Sequence, residues 1–251
     1  MLALLFAAAL ASAAPASTAA TQAPTPGAKA KTPIVVSQVT AAALARTVAP
    51  ADITIALEVE QARKAILALP TIDEDAKQLE SEFPGIYAAM WAAIEPEVRR
   101  STEADYPDYW AALERMYLAR LTEQEAQAVL AFFRSPTGQK LLRGMYGAMD
   151  AGSMMAEMVK SDSSTIDAKQ MQSAVDAAKA KAVEQLGPED QASLLTLVGS
   201  IDLEKFRALG AETQRITLEW VNKEDPEGEE RLGKMMQDAM ENYMAAHPSK
   251  K

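Results

Sequence analysis

The chain has 251 residues, of which 49% are hydrophobic and 6% aromatic, and its formal net charge is −10. This size and hydrophobic content suffice for a folded core, and the negative charge argues against nucleic acid and anionic lipid surfaces as partners. The sequence has no cysteine, which excludes disulfides, thiolate metal sites, a thiol nucleophile and a lipid-modified N-terminal cysteine.

The N-terminus has the pattern of an export signal. An apolar run from Leu2 to Ala11 ends in the small residues A-S-A, which fit a cleavage site. The run is shorter than the roughly 20 apolar residues that a transmembrane helix needs. We therefore predict a signal peptide at residues 1–13, a disordered Ala/Pro/Thr-rich linker at residues 14–50, and a mature chain without a membrane span.

Helical periodicity begins at Asp52. Apolar residues then recur every three or four positions as far as Leu69, which predicts an amphipathic helix with Asp52 as its N-cap and Pro70 as its stop. Thr71 and Glu74 have the spacing of a capping box for a second helix.

Prolines divide the segment that follows. Pro84 is expected to interrupt the second helix, and Pro96 to kink its continuation. After Pro107, apolar and aromatic residues from Trp110 to Tyr117 recur at spacings of three and four, which predicts a third helical face.

The most informative stretch is LTEQEAQAVLAFFRSPTGQKLL, which begins at Leu121. Thr122 can cap a helix while Glu125 reaches back to complete a capping box. That helix ends in the aromatic pair Phe132 and Phe133. Two consecutive helices with a short junction are therefore predicted.

The junction itself is the tetrapeptide S-P-T-G. Ser135 is a favoured N-cap, Pro136 a favoured first-turn residue, and Gly138 allows a close backbone approach. The pattern predicts a tight helix-corner-helix, followed by Lys140 in the first turns of the second helix.

That second helix is predicted to run to about Lys160, with small residues at Gly144, Ala148 and Gly152 that a neighbouring helix can approach. The polar break SDSST follows it. We therefore expect a helical domain at residues 51–160 and a separate C-terminal helical region at residues 161–251. The whole chain is predicted to be all-α, a helical bundle or array of about eight helices built from helix-corner-helix units.

The C-terminal region carries a weak internal repeat, in which five residues of the motif recur 65 positions later. The two sets are Leu121, Glu125, Leu130, Ser135 and Lys140, and Leu186, Asp190, Leu195, Ser200 and Lys205. The second set lacks the Pro-x-Gly corner, and two helical segments also match by chance, so duplication and coincidence both remain open.

The stretch from Thr122 to Leu142 resembles the signature of an uncharacterised family of exported bacterial proteins, domain of unknown function 2059. The resemblance covers about residues 105–160. It implies an exported, helical protein without an assigned activity, and no catalytic residue can be carried over from it. The matching positions are Thr122, Glu125, Phe132, Phe133, Ser135, Pro136, Gly138 and Lys140, which we interpret as a structural motif.

Candidate chemical sites are sparse. His247 is the only histidine and lies near the C-terminus without a framework for catalysis. Asp105 with Asp108, and the acidic turn at residues 223–230, lack the spacing of a calcium loop and fit solvated helix ends. We predict no cofactor and no catalytic constellation.

Methionine is unusually frequent, with 13 residues. The methionines fill an irregular core, form an adaptable partner-binding groove, or bind Cu(I) through thioethers. Several of them lie on two helices: Met145, Met149, Met154, Met155 and Met158, and Met235, Met236, Met240 and Met244. The aromatic residues Tyr106, Tyr109, Trp110 and Tyr117 are interpreted as a packed layer rather than a ligand box.

These observations favour a periplasmic protein with a structural or protein-interaction role, whose partner would be another periplasmic protein. A binder of a small molecule, a lipid or Cu(I), or an enzyme, is the alternative. Nucleic acid is not an expected partner.

Overall fold

The computed structural model describes residues 34–148 and 166–248. Within these ranges the chain forms ten α-helices, and its one β contact is an isolated bridge between Val35 and Thr122. The all-α prediction is confirmed, with somewhat more helices than the predicted eight. The helices are α1 (Gln38–Val48), α2 (Ala51–Ile72), α3 (Glu74–Glu82), α4 (Ile86–Arg120), α5 (Glu123–Arg134), α6 (Pro136–Ala148), α7 (Ala168–Glu184), α8 (Pro188–Val198), α9 (Leu203–Val221) and α10 (Pro226–Ala246).

The described residues form two compact units, each assembled from separated segments of the chain. Unit 1 contains residues 34–49, 110–148 and 175–217, and unit 2 contains residues 50–109, 166–174 and 218–248. The sequence predicts a division near residue 160, whereas each unit combines segments from both sides of it. The predicted signal peptide and the SDSST break, like Met149, Gly152, Met154, Met155 and Met158, lie outside the described residues.

Unit 1 begins with a helix where a linker is predicted. The linker prediction fails over α1, because Leu44 and Val48 are buried and α1 packs against α5. Glu123 at the start of α5 fixes this segment, since its carboxylate accepts hydrogen bonds from Ser37 N at 2.7 Å and Thr40 Oγ1 at 2.6 Å. Tertiary contacts thus order an Ala-rich stretch whose composition indicates disorder.

Unit 2 begins with the packed pair α2 and α3. Two capping predictions are wrong here. Pro50, not Asp52, is the N-cap of α2, and Pro70 lies inside its last turn rather than stopping it. Asp73 caps α3 by accepting a hydrogen bond from Ala76 N at 2.7 Å, so the predicted box of Thr71 and Glu74 is replaced by a single Asx cap.

The helix α4 is 35 residues long and contains both Pro96 and Pro107. The prediction that a separate helix begins after Pro107 is therefore wrong. Ile94 and Met90 before the prolines, and Tyr109 after them, are all buried, and this tertiary packing outweighs the loss of a backbone hydrogen bond at each proline.

By length and composition alone, the segment Gln38–Ile72 could cross a membrane, since its most apolar 18-residue window has a mean hydropathy of 1.2. In this protein 44% of that window is buried against other residues, and the segment is divided into α1 and α2. Buried core helices of soluble proteins have the same composition, so this observation is weak evidence for a span.

Candidate functional site

The helix corner that carries the sequence motif lies in unit 1, and its first helix starts with a capping box. Glu125 N donates to Thr122 Oγ1 at 3.3 Å, and Thr122 N donates to Glu125 Oε2 at 2.7 Å. These bonds satisfy backbone groups that the first turn of α5 leaves without helical partners. The role of both residues here is to define where α5 begins.

Ser135 organises the corner between α5 and α6. Its hydroxyl donates to Phe132 O at 2.6 Å and accepts from Gly138 N at 3.1 Å, while Pro136 occupies the first position of α6. The two helices approach so closely that a Cβ added at Gly138 would lie 2.1 Å from Phe132 O. Only glycine fits this position without displacing the backbone.

The aromatic pair of the motif is part of the core. Phe133 is fully buried and Phe132 is almost so, with their ring centroids 5.5 Å apart in an edge-to-face arrangement. Together with the corner hydrogen bonds, this arrangement gives most of the motif residues a role in folding rather than in contact with a ligand.

Lys140 is the motif residue that reaches outward from the corner. Its Nζ lies 2.7 Å from Asp190 Oδ2, while Thr137 Oγ1 donates to Asp190 Oδ1 at 2.8 Å. These two bonds, and a third from Gly187 N at 3.1 Å, lower the pKa of Asp190 to about 2. Asp190 is therefore a carboxylate at every physiological pH.

A second lysine makes the corresponding contact on the other side of the corner. Lys205 of α9 forms an ion pair with Glu125 of the capping box. Partial burial would raise the pKa of Glu125, but the hydrogen bonds from Lys205 and Thr122 outweigh that effect and lower it. The capping carboxylate thus has both a local and a long-range partner.

Next to the corner is an open cleft with a volume of about 780 Å³, formed by the end of α5, one face of α6 and the last turns of α7. Four of its lining side chains are cationic, and its described lining contains no carboxylate. The lining residues are Arg134, Pro136, Gln139, Lys140, Arg143, Gly144, Gly147, Ala148, Lys181 and Gln185.

Within the described part of the chain, three of the four cations have no carboxylate as an ion-pair partner. Lys140 is paired with Asp190, but Arg134, Arg143 and Lys181 are exposed and form no ion pair with any of the residues that the structure describes. Unpaired positive side chains that share one concave surface raise the local potential, and the effect is marked here because the chain as a whole has a net charge of −10.

Small residues of α6 keep the cleft open. At Gly144 a Cβ would lie 3.3 Å from Ala182 Cβ, so α6 and α7 come close at this point. At Gly147 nothing lies within 4 Å of where a Cβ would be. Gly144 therefore marks the helix contact, while Gly147 faces the free space of the cleft.

The cleft was not predicted from the sequence. Lys140 belongs to the motif, but Arg134, Arg143 and Lys181 read as ordinary exposed helix positions. Arg143 follows Lys140 at a helical spacing of three, which places both on one face of α6. This spacing is the one sequence feature that indicates a cationic surface here. Lys181 joins them only through the packing of α7.

The other candidate sites from the sequence have structural roles. His247 stacks on Tyr243 with ring centroids 4.2 Å apart at the exposed end of α10. Asp105 pairs with Lys223 at 2.9 Å, and Asp225 in the acidic turn caps α10 by accepting from Gly228 N at 3.0 Å. No group of acidic and histidine side chains in the described ranges is arranged to hold a metal ion.

The described methionines are mostly core residues. Met145 is buried in unit 1, and Met236, Met240 and Met244 of α10 are partly buried against a hydrophobic cluster of unit 2. That cluster consists of Ala76, Ile86, Tyr87 and Met90. This packing favours the core-filling interpretation over an open Met-rich groove.

Of the four aromatic residues predicted to form a layer, Tyr106 and Tyr109 pack together, and they do so with Trp220, which the sequence did not group with them. Tyr109 stacks on Trp220 at 4.7 Å and meets Tyr106 edge to face at 5.8 Å. Trp110 instead belongs to unit 1, where its indole donates to Ala49 O at 2.9 Å under the guanidinium of Arg46.

Glu58 in unit 2 is a buried carboxyl with an unusual environment. Burial raises its pKa to about 7, and its Oε1 has no hydrogen-bond partner among the described residues. A raised pKa is typical of general acids, but a single carboxyl does not define a reaction.

Comparison with known proteins gives a match to one family model over part of the chain, and that family has no assigned activity. No curated protein and no solved structure matches the chain. Residues 111–160 match the family model DUF2059, described as an uncharacterized protein conserved in bacteria. That range contains the capping box, the Ser-Pro-x-Gly corner and all of α6, so the resemblance seen in the sequence is confirmed over this part of the chain.

Proposed function

We propose that the protein is exported to the bacterial periplasm and acts there by binding an acidic segment of a partner protein in the cationic cleft of unit 1. The observation that carries this proposal is that Arg134, Arg143 and Lys181 surround one open cleft of an acidic chain and have no ion-pair partner among the described residues.

Export is supported by the sequence. The apolar run from Leu2 to Ala11, the small residues at its end and the Ala/Pro/Thr-rich segment after it have the order of a signal peptide and its linker. The absence of cysteine from the sequence is compatible with the oxidising periplasm.

Charge favours an acidic segment over other ligand classes. A positive cleft attracts a short acidic segment, whereas the net charge of −10 repels extended polyanions such as nucleic acid and anionic membranes. The cleft is open, about half of its lining is polar, and its cationic side chains are exposed, while small-molecule sites are usually mostly apolar and enclose most of the ligand surface. A peptide that lies along an open cleft fits this lining better.

Binding is tested by fluorescence anisotropy with a labelled octapeptide of alternating glutamate and glycine. The variant Arg143→Gln/Lys181→Gln removes two cleft cations, and the matched control Lys77→Gln/Lys234→Gln removes two exposed cations that pair within their own helices. We expect the cleft variant to bind about tenfold more weakly, since each exposed charge pair contributes up to about 1 kcal/mol. The control should bind like the wild type.

Equal loss in both variants would show a nonspecific charge effect and contradict the proposal. So would stronger binding of inorganic pyrophosphate than of the peptide, because that result would assign the cleft to a small anion. Export is tested separately by cell fractionation, in which the wild-type chain should appear in the periplasm as a shortened form.

A further inference from the structure

We infer that residues 110–148 and 175–213 are two copies of one self-pairing helix-corner-helix unit, so that the surface around the Ser-Pro-x-Gly corner is an interface for a second copy of that unit, supplied here by the same chain. The inference does not rest on the proposed function, although Lys140 belongs both to the corner and to the lining of the cleft.

The secondary structure of the two segments agrees at an offset of 65 residues. Helix α5 starts at Glu123 and α8 starts at Pro188, which are 65 positions apart. The preceding helices, α4 and α7, end at Arg120 and Glu184, which are 64 positions apart. The two chain segments of unit 1 also start 65 positions apart, at residues 110 and 175.

The hydrogen bonds that shape each helix start and corner also agree. Thr122 N donates to Glu125 Oε2, and 65 positions later Gly187 N donates to Asp190 Oδ2 at 3.1 Å. Ser135 Oγ donates to Phe132 O at 2.6 Å, and Ser200 Oγ donates to Leu197 O at 2.7 Å. Helical periodicity alone does not place a cap and a corner at matching positions.

The ion pairs between the two segments are reciprocal. Lys140 of the first pairs with Asp190 of the second, and Lys205 of the second pairs with Glu125 of the first. Each lysine lies 65 positions from the other, and so does each carboxylate. In a pairing of two equivalent units, residue i of one contacts residue j of the other and j contacts i, which is the pattern seen here.

The second copy departs from the first in two places. Ile201 and Leu203 stand where the first copy has Pro136 and Gly138. Helix α9 starts at Leu203, two residues after the position equivalent to the start of α6, and Asp202 accepts hydrogen bonds from its first turn. Leu195 is 54% exposed, whereas the equivalent Leu130 is 4% exposed on α5, the helix against which α1 packs.

Reciprocity is tested by charge reversal in the full chain. Glu125→Lys/Lys140→Glu reverses both charges of the first copy, and Asp190→Lys/Lys205→Glu reverses both charges of the second. Each double variant places like charges together in both pairs and should lower Tm by several degrees. The quadruple variant restores both attractions but still lacks the capping carboxylates of Glu125 and Asp190, so its Tm should lie clearly above that of both double variants and below that of the wild type. A quadruple variant no more stable than the doubles would overturn the inference.

The equivalence of the two copies is tested by transferring the residues that start α5 to the start of α8. The sequence TEQE replaces residues 187–190, through Gly187→Thr, Pro188→Glu, Glu189→Gln and Asp190→Glu. A Cβ at position 187 meets nothing nearer than 3.9 Å, so the graft has room, and it keeps a carboxylate opposite Lys140.

The matched control places the same four residues, TEQE, one position later, at 188–191. This change moves the N-cap threonine to position 188 and puts glutamine, which has no carboxylate, at position 190. We expect the in-register graft to keep Tm within about 2 °C of the wild type and the shifted graft to lower it by about 5 °C or more. Equal Tm values for the two grafts, or a lower one for the in-register graft, would contradict equivalence.

Discussion

The ammonium of Lys140 lies 2.7 Å from Oδ2 of Asp190. This pair joins the Ser-Pro-x-Gly corner to the start of α8, and Lys140 also lines the cationic cleft. Lys140 therefore belongs both to the pairing of the two helical units and to the surface beside their junction.

Acid should weaken the contact of Asp190. Its pKa in the folded protein is about 2, below the ordinary value of 3.8, so the folded state binds fewer protons than the unfolded state between about pH 4 and pH 2. The stabilisation is complete above this window and is lost as the pH falls through it. In urea unfolding, Asp190→Asn should be less stable than the wild type at pH 7, and the difference should shrink toward pH 2. A difference that stays constant over this range would contradict the assignment.

The corner should not tolerate a methyl group at Gly138. A Cβ there would lie 2.1 Å from Phe132 O and 2.6 Å from Phe133 Cα, both of them backbone atoms, so Gly138→Ala should lower the free energy of unfolding by about 1–3 kcal/mol or more. The control is Gly147→Ala, which has open space and should be neutral or stabilise α6 by up to about 1 kcal/mol. Urea titration followed by circular dichroism compares the two variants, and equal effects would argue against the tight corner.

Glu123 should hold the N-terminal part of unit 1 in place. Hydrogen bonds from Thr40, Gln127 and Ser37 lower the pKa of Glu123 to about 2. In Glu123→Gln the charge that these donors stabilise is absent, so amide hydrogens of α1 should exchange several-fold faster, as measured by mass spectrometry. Glu184→Gln, at an exposed helix end, is the control and should leave this exchange unchanged; protection of α1 in both variants would contradict the role of Glu123.

The methionines of α10 should behave as packing residues. Met240→Leu conserves volume and should change the free energy of unfolding by less than about 1.5 kcal/mol, whereas Met240→Ser should cost more because it removes apolar contact with the cluster of unit 2. A titration with Cu(I) distinguishes the alternative. Stoichiometric binding by the wild type that is lost in Met240→Leu would assign these thioethers to a metal instead.

Local chemistry explains what the sequence predicted well. The capping box of Thr122 and Glu125, and the Ser135 corner, involve residues three positions apart, whose hydrogen bonds depend on little beyond the local backbone. Such motifs can be predicted without knowledge of the rest of the fold.

Long-range packing explains what the sequence did not predict. Helix α1 forms in an Ala-rich stretch because Glu123, more than 80 residues away, binds its first turn. Helix α4 continues through Pro96 and Pro107 because buried residues on both sides hold it. The cleft depends on Lys181, which meets α6 only in the folded chain.

The most direct test of the cationic cleft is photocrosslinking in living cells. A photoreactive amino acid at position 147 faces the free space of the cleft, and the same amino acid at position 234 lies on an exposed face of α10. The account predicts a discrete protein adduct with the processed, periplasmic chain from position 147 only, abolished by Arg143→Gln/Lys181→Gln. No adduct at position 147, or the same adducts from both positions, would contradict it.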